Sequence, residues 1–145
     1  MKKNIFVKNL SNKNPTKDIT LDDRKNKLKI STAKDNITID IGDGIVFGKK
    51  NIPIIAGPNG VENKKLMIDV ANQIKKNNLK IIRGHAYKPL TFPYRSKTYK
   101  ETQNIGMDWM DEIKKNFKLK VVTEVTELRY LNRICKTADI LQIGS

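Results

Sequence analysis

Short apolar runs alternate with amphipathic helical segments from residue 52 onward, and this alternation restricts the fold more than any other feature. Four strands and three helices are predicted, with strands at residues 52–56, 79–82, 120–123 and 139–143 and helices at 63–77, 103–117 and 128–138. Strands that alternate with helices in this way form a parallel sheet with right-handed crossovers. The strands are apolar on both faces, which is typical of a sheet covered by helices. The pattern therefore predicts an α/β fold.

The chain before residue 52 has a different character. Alternating isoleucines and a Gly-Asp-Gly turn predict a β-hairpin over residues 37–47. Residues 1–36 are rich in Lys, Asn and Asp and show no lasting period, so they predict a basic, poorly ordered arm with at most a short strand near residues 5–7. The predicted organisation is an arm at 1–36 followed by one folded domain at 37–145.

The charge and cysteine content limit the classes of function. The formal net charge is +14, and the excess of Lys and Arg is spread along the chain rather than gathered in one patch. Binding to a polyanion is one interpretation. Compositional drift on a solvated surface is favoured, because no arginine-aromatic patch accompanies the charge. The single cysteine excludes a disulfide framework, and no apolar run is long enough to cross a membrane. We expect a cytoplasmic protein without membrane or nucleic-acid partners.

Polar side chains follow the predicted strands at the end where parallel α/β folds gather their active sites. Asn59 follows the first strand, Arg83 and Lys88 the second, Glu124 the third, and Gln142 lies in the fourth. An arginine and a lysine near one carboxylate suit a phosphate or phosphorylated carboxylate ligand, and the carboxylate is placed to orient a substrate or exchange a proton with it. Ordinary polar residues at helix starts are the alternative interpretation.

Four segments also resemble one enzyme family in order and spacing, over about residues 37–145. Residues 55–62 resemble the family's IAGPCSVE loop, 83–94 its RGGAYKPRTSPY loop, 121–125 its VVTEV strand and 138–144 its ADILQIG strand. The family is that of the 3-deoxy-D-arabino-heptulosonate 7-phosphate (DAHP) synthases, class I. The KDO-8-phosphate synthases belong to the same superfamily, but the sequence of their second loop differs from residues 83–94. They are therefore the second enzyme candidate.

The resemblance implies a TIM (β/α)8 barrel, of which this chain would supply about four strands after the hairpin. It implies a transferase that condenses phosphoenolpyruvate with erythrose 4-phosphate, the first step of the shikimate pathway to aromatic amino acids. On matching motif positions, the implied catalytic residues are Lys88 and Glu124. The substrate-binding residues are Arg83 and Lys88 for phosphoenolpyruvate and Thr91 on the erythrose 4-phosphate side, and the strand-end argument adds Gln142.

Three departures from the family pattern bear on activity. Asn59 stands where metal-dependent members have a metal-ligating cysteine, and an amide oxygen is a poor replacement for a thiolate on a divalent transition metal. We therefore expect no metal cofactor, through either a metal-free mechanism or decay of the site. Leu90 replaces an arginine and Phe92 a serine in the substrate loop. The family's later strands, with further metal ligands and phosphate-binding arginines, have no counterpart in these residues.

Four strands of an eight-stranded barrel have two open edges, which invite pairing with another chain. We expect a truncated family member of doubtful activity that associates with itself or with a complementary half-barrel. The alternative from another class is a non-catalytic basic half-barrel that binds a partner subunit or a polyanion. Such a module would bind without turning over a substrate.

Several other residues are interpreted from their local pattern. His85 stands where the family has glycine; as a lone loop histidine it is predicted to be a solvated bystander, with a catalytic base as the alternative. Cys135 is predicted to be a core residue rather than a nucleophile. Trp109 and Met110 are predicted to pack inward, and the acidic residues Asp108, Asp111 and Glu112 to form a solvated helix face.

Overall fold

A computed structural model describes residues 38–48, 50–88 and 101–144, and the predicted arm and Thr91 lie outside these ranges. The regular elements, numbered in chain order, are β1 (Ile39–Asp40), β2 (Val46–Phe47), β3 (Ile55–Ala56), α1 (Lys64–Lys76), β4 (Ile81–Arg83), α2 (Gln103–Phe117), β5 (Lys120–Val125), a 3-10 turn (Leu128–Tyr130), α3 (Leu131–Thr137) and β6 (Ile140–Ile143). The order confirms the predicted hairpin followed by alternating strands and helices.

The central sheet has four strands in the order β3-β4-β5-β6, and every neighbouring pair is parallel. The fold class predicted from the alternation is therefore correct. The first strand is shorter than predicted: only residues 55–56 pair, while Ile52 and Ile54 are exposed. Pro53 lies between them and has no N–H to donate to a ladder, which accounts for the late start.

The second strand begins two residues later than predicted because α1 ends in a Schellman motif. Asn78 takes a left-handed conformation with φ 56°. The Leu79 N–H then donates to Ile74 O (2.9 Å), and the Asn78 N–H donates to Lys75 O (3.0 Å). Leu79 consequently closes the helix and packs against the core instead of opening β4.

Alternation along the strands gives the sheet two faces of different chemistry. The helix face, which includes Ile82 and Val121, packs against the apolar sides of the three helices in the main core. The inner face carries Ile81, Val122 and Ile140 in a second, smaller cluster. Residues two positions further along each strand, towards its carboxyl end, return to the inner face, and these are the polar side chains that form the candidate site.

The hairpin covers the amino-terminal end of the inner face. Its turn uses positive φ at Gly42, Asp43 and Gly44 (86°, 54° and 71°), as the sequence predicts. Ile45 is buried against the small inner-face cluster. Lys80 Nζ donates to Asp43 O (2.8 Å), and Lys120 Nζ lies 2.9 Å from Asp43 Oδ2, so strand-start lysines hold the turn against the sheet.

The helices follow their predicted spans closely, except that the third begins at Leu131 instead of residue 128. The predicted start of that helix is a 3-10 turn instead, in which Leu128 is 82% exposed. Asp108 and Glu112 are exposed and Asp111 is half-buried, in agreement with the predicted solvated acidic face. Arg133 Nη2 on α3 lies 2.6 Å from Asp108 Oδ1 and 3.0 Å from Asp111 Oδ2. Within the described ranges, no helix has the length and apolarity needed to cross a membrane.

Two further packing predictions have different outcomes. Met110 is fully buried, and Trp109 is partly buried against the main core, so both face inward as predicted. Cys135 on α3 is only partly buried, and burial raises the pKa of its thiol. A thiol with a raised pKa is a weaker nucleophile at neutral pH, in agreement with a packing role.

Candidate functional site

Strands β4 and β5, with the loop after β4, place one carboxylate and two cationic side chains at the carboxyl end of the inner face. Arg83 ends β4 and Glu124 lies near the end of β5, each two residues beyond an apolar inner-face residue. The loop after β4 turns back and brings Lys88 Nζ to 2.8 Å from Glu124 Oε2. Glu124 is only 7% exposed, so its ion pair with Lys88 is largely desolvated. The structure thus brings together Arg83, Lys88 and Glu124 as the strand-end argument expects.

Arg83 connects this pair to the first strand. Its Nη2 donates to Asn59 Oδ1 at 2.6 Å, in the turn that follows β3. Gly57 makes the close approach of the two chain segments possible: its φ is 144°, and a Cβ there would lie 2.1 Å from Arg83 O. The guanidinium therefore spans from the β3 turn to the end of β4.

His85 is not the solvated bystander that its place in a loop predicts. It is 2% exposed rather than solvated. Its Nδ1 accepts a hydrogen bond from the Glu124 backbone N–H (2.7 Å), and its Nε2 lies 2.9 Å from Arg83 Nε and 3.7 Å from Glu124 Oε2. Burial, followed by the nearby Arg83 charge, lowers the pKa of His85 to about 4, so the ring is neutral at pH 7. A spacing of two from Arg83 was the available signal, since such residues in extended chain share a side.

The last strand adds a neighbour to Glu124. Gln142 is the direct register partner of Glu124 across β5 and β6. Two residues later, a Cβ on Gly144 would lie 2.1 Å from Glu124 Oε1, so only glycine leaves room for the carboxylate as it stands. Gln142 therefore lies at the site, whereas Thr91 falls outside the described residues.

Aromatic stacking anchors the loop that carries Lys88. Tyr87 stacks on Tyr130 with ring centroids 4.2 Å apart, and its hydroxyl donates to Asn104 Oδ1 (2.6 Å). Burial raises the pKa of Tyr87. The Thr126 hydroxyl donates to Tyr87 O (3.2 Å), which ties the loop to the end of β5. These contacts fix the residue preceding Lys88 and so restrict where its ammonium group can reach.

The residues around Asn59 do not fit a divalent metal ion. Asn59 Oδ1 already accepts from the Arg83 guanidinium, whose positive charge would repel a dication at that oxygen. Across residues 38–48, 50–88 and 101–144, no three His, Cys, Asp or Glu side chains are grouped closely enough to hold a metal ion. The donor set at this end of the sheet suits an anion instead.

Comparison with known proteins assigns the chain to a family. Residues 27–145 match the model of the DAHP synthetase I family. The phospho-2-dehydro-3-deoxyheptonate aldolase of Thermotoga maritima is 33% identical over 111 residues, which are 77% of this chain and 32% of that protein. The 2-dehydro-3-deoxyphosphooctonate aldolase of Fusobacterium nucleatum is 32% identical over 113 residues, covering 72% of this chain and 39% of its own length.

Solved structures agree. The crystal structure of the Thermotoga maritima DAHP synthase superposes with a TM-score of 0.66 at 31% identity, over 79% of this chain and 32% of that one. A truncated form of the 3-deoxy-D-arabino-heptulosonate 7-phosphate synthase from Thermotoga maritima gives a TM-score of 0.62 at 29% identity, over 76% and 37%. The parallel sheet is thus part of a TIM barrel, and the chain spans between 32% and 39% of the length of these relatives. The chain belongs to the DAHP synthetase I family.

Proposed function

We propose that the carboxyl end of the sheet binds phosphoenolpyruvate as in DAHP synthases. The observation that carries the proposal is the pairing of Lys88 with the largely buried carboxylate of Glu124, with Arg83 held beside it by His85 and Asn59. With His85 neutral, these side chains sum to one net positive charge. A partly desolvated site with excess positive charge favours a multiply charged anion, and a guanidinium can grip phosphate or carboxylate through two parallel hydrogen bonds.

The proposed reaction is the condensation of phosphoenolpyruvate with erythrose 4-phosphate, the first step of the shikimate pathway. C3 of phosphoenolpyruvate forms a bond to the aldehyde carbon, whose oxygen takes up a proton. The oxygen of a water molecule bonds to C2 with loss of one proton. The bond from C2 to the phosphate oxygen then breaks, the remaining hydroxyl proton passes to the departing phosphate, and a ketone is left at C2. Lys88 is the proposed proton donor to the aldehyde oxygen, because Glu124 at 2.8 Å holds its ammonium group.

We further propose that this chain binds its substrate without a metal ion at Asn59. The hydrogen bond from Arg83 occupies the amide oxygen that would replace the family's cysteine as a ligand. Arg83 then supplies the positive charge at that position. Activity that is unchanged by a strong chelator and not raised by Mn²⁺ would support this proposal, and activity that requires added Mn²⁺ would contradict it.

The edge strands of the sheet support a further proposal, that another chain completes the site. Apolar side chains at the two edge strands of the described sheet are exposed: Ile54 just before β3, Ile55 in β3, and Leu141 and Ile143 in β6. Exposed apolar edge strands are suited to pairing, and we propose that they associate with a second copy or a complementary half-barrel. Sedimentation that shows only monomers, alone and with the expressed complementary half, would contradict this proposal.

A turnover assay tests the reaction and separates the candidates. Product from phosphoenolpyruvate and erythrose 4-phosphate supports the DAHP synthase reaction, whereas product with arabinose 5-phosphate alone supports the KDO-8-phosphate type. No turnover with either aldose, despite retention on nucleic acid at low salt, would favour the basic binding module, whose support is the net charge of +14. The exposed Lys115→Gln variant on α2 serves as a charge-matched control for variants of Lys88.

A further inference from the structure

Both ring nitrogens of His85 have an N–H donor close to them, which restricts where the ring proton lies. N–H groups approach both of them: the Glu124 backbone N–H at Nδ1 (2.7 Å) and the Arg83 Nε–H at Nε2 (2.9 Å). A neutral imidazole carries one N–H and therefore accepts at only one nitrogen. Only one of the two contacts can be a hydrogen bond.

The backbone contact decides which nitrogen accepts. The His85 carbonyl already accepts a hydrogen bond from the Val61 N–H (3.1 Å). The Glu124 N–H of β5 therefore uses the His85 ring as its acceptor instead of that backbone carbonyl. The Glu124 N–H is part of a paired strand and cannot rotate, whereas the Arg83 side chain can. Nδ1 is therefore the acceptor, and the proton of the neutral ring lies on Nε2.

An Nε2–H group has a natural acceptor nearby. Glu124 Oε2 lies 3.7 Å from Nε2 and already receives Lys88 at 2.8 Å. A movement of roughly 0.8 Å brings the ring N–H within hydrogen-bond distance of that oxygen. In this arrangement Arg83 turns its Nε–H away from the ring and keeps it for another anion.

We propose that His85 is a positioning residue, present as the Nε2–H tautomer, that holds Glu124 beside Lys88 and leaves the Arg83 Nε–H for the anionic ligand. The part of this inference that concerns the ligand rests on the proposed binding of phosphoenolpyruvate. His85 itself does not touch the reacting atoms; it acts through Glu124 and Arg83. The charged and titratable groups that face it are Arg83 from β4, Lys88 from the loop and Glu124 from β5.

Nitrogen NMR of the full chain tests the tautomer without any ligand. His85 is the only histidine, so labelling histidine with ¹⁵N gives one pair of ring signals. At pH 7 we expect a proton coupled to Nε2 and an unprotonated, hydrogen-bonded Nδ1. A proton on Nδ1, or on both nitrogens, would overturn the inference whether or not phosphoenolpyruvate binds.

Two variants separate positioning from a purely structural role. His85→Asn keeps an acceptor for the Glu124 N–H but removes the Nε2 donor; His85→Gln returns an amide N–H near the Nε2 position. We expect H85N to melt near the wild-type temperature yet bind phosphoenolpyruvate on the order of 10-fold more weakly, with H85Q recovering most of the loss. Equal affinity of H85N and wild type would overturn the inference. A wild-type chain with the Nε2–H tautomer that binds no phosphoenolpyruvate contradicts the proposed function instead.

Discussion

The two ends of the inner sheet face carry similar charged residues for different purposes. At the amino end, Lys80 and Lys120 both bind Asp43 of the hairpin turn, over a buried apolar cluster that includes Ile45. At the carboxyl end, Lys88 pairs with the carboxylate of Glu124, and Arg83 contacts Asn59 and His85. The hairpin covers the first end and its turn binds both lysines, whereas at the second end the contacts described for Arg83 are with the uncharged Asn59 and His85. The difference indicates that the amino end stabilises the fold and the carboxyl end holds an anionic ligand.

Truncating the amino-end cluster should change stability without changing the site. Ile45 is 5% exposed, so Ile45→Ala is expected to lower the free energy of unfolding by about 2 to 5 kcal/mol through lost burial and a residual cavity. Urea denaturation measures the change, with Val46→Ala, at the neighbouring and partly exposed position, as a milder control. Affinity for phosphoenolpyruvate in the folded protein should stay at the wild-type value; a parallel loss would mean that the two ends are coupled.

Removing a cation at the carboxyl end should instead weaken the binding of phosphoenolpyruvate. Lys88→Met is expected to weaken phosphoenolpyruvate binding on the order of 100-fold, because it removes the partner of a largely buried carboxylate as well as a ligand contact. Calorimetric titration measures the affinity, and Lys115→Gln, which loses the same charge on exposed α2, should bind as wild type. Equal weakening in both variants would show a general charge effect instead of a site.

Acid should loosen the carboxyl end through His85. The folded pKa of about 4 lies below the ordinary value of 6.5, so between these values the unfolded chain binds a proton that the folded chain does not. Stability is therefore lost as the pH falls through this window, by about 2 kcal/mol between pH 7 and pH 5. Urea denaturation at both pH values measures the loss. His85→Asn should remove this contribution, and an unchanged pH dependence in that variant would assign it to other groups.

The smallest expected effect concerns the room that Glu124 needs. A Cβ at Gly144 would lie 2.1 Å from Glu124 Oε1, so Gly144→Ala must displace the carboxylate from Lys88. We expect phosphoenolpyruvate affinity to fall on the order of 10-fold, the effect of disturbing one charged hydrogen bond. Gly60→Ala is the matched control, since nothing lies within 4 Å of a Cβ there. Equal affinities for the two variants would show that the absence of a side chain at residue 144 does not matter for binding.

Much of the fold follows from local sequence, while the errors lie at the ends of elements and where distant residues meet. The predicted helix at 103–117 has the observed bounds, because its apolar spacing and its left-handed C-cap at Lys118 are local features. The short β3 reflects Pro53 and the lack of a described partner on its outer edge. The exposure of Leu128 depends on a 3-10 turn whose face no periodicity at 3.6 residues predicts.

The candidate site shows the same division. Arg83, Lys88 and Glu124 were predicted from strand ends, because parallel strands bring their carboxyl ends to one edge. The burial of His85 was not predicted, since it depends on a β5 N–H that the chain brings close only after folding. The ion pairs of Arg133 with Asp108 and Asp111 likewise join α2 and α3, so neither helix reveals them alone.

The most direct test is titration of the chain with phosphoenolpyruvate in the presence of a chelator. We expect saturable binding at one site per complete set of Arg83, Lys88 and Glu124, weakened by added salt and nearly abolished by Lys88→Met. Absence of saturable binding to folded protein, or binding that Lys88→Met leaves unchanged, would contradict it.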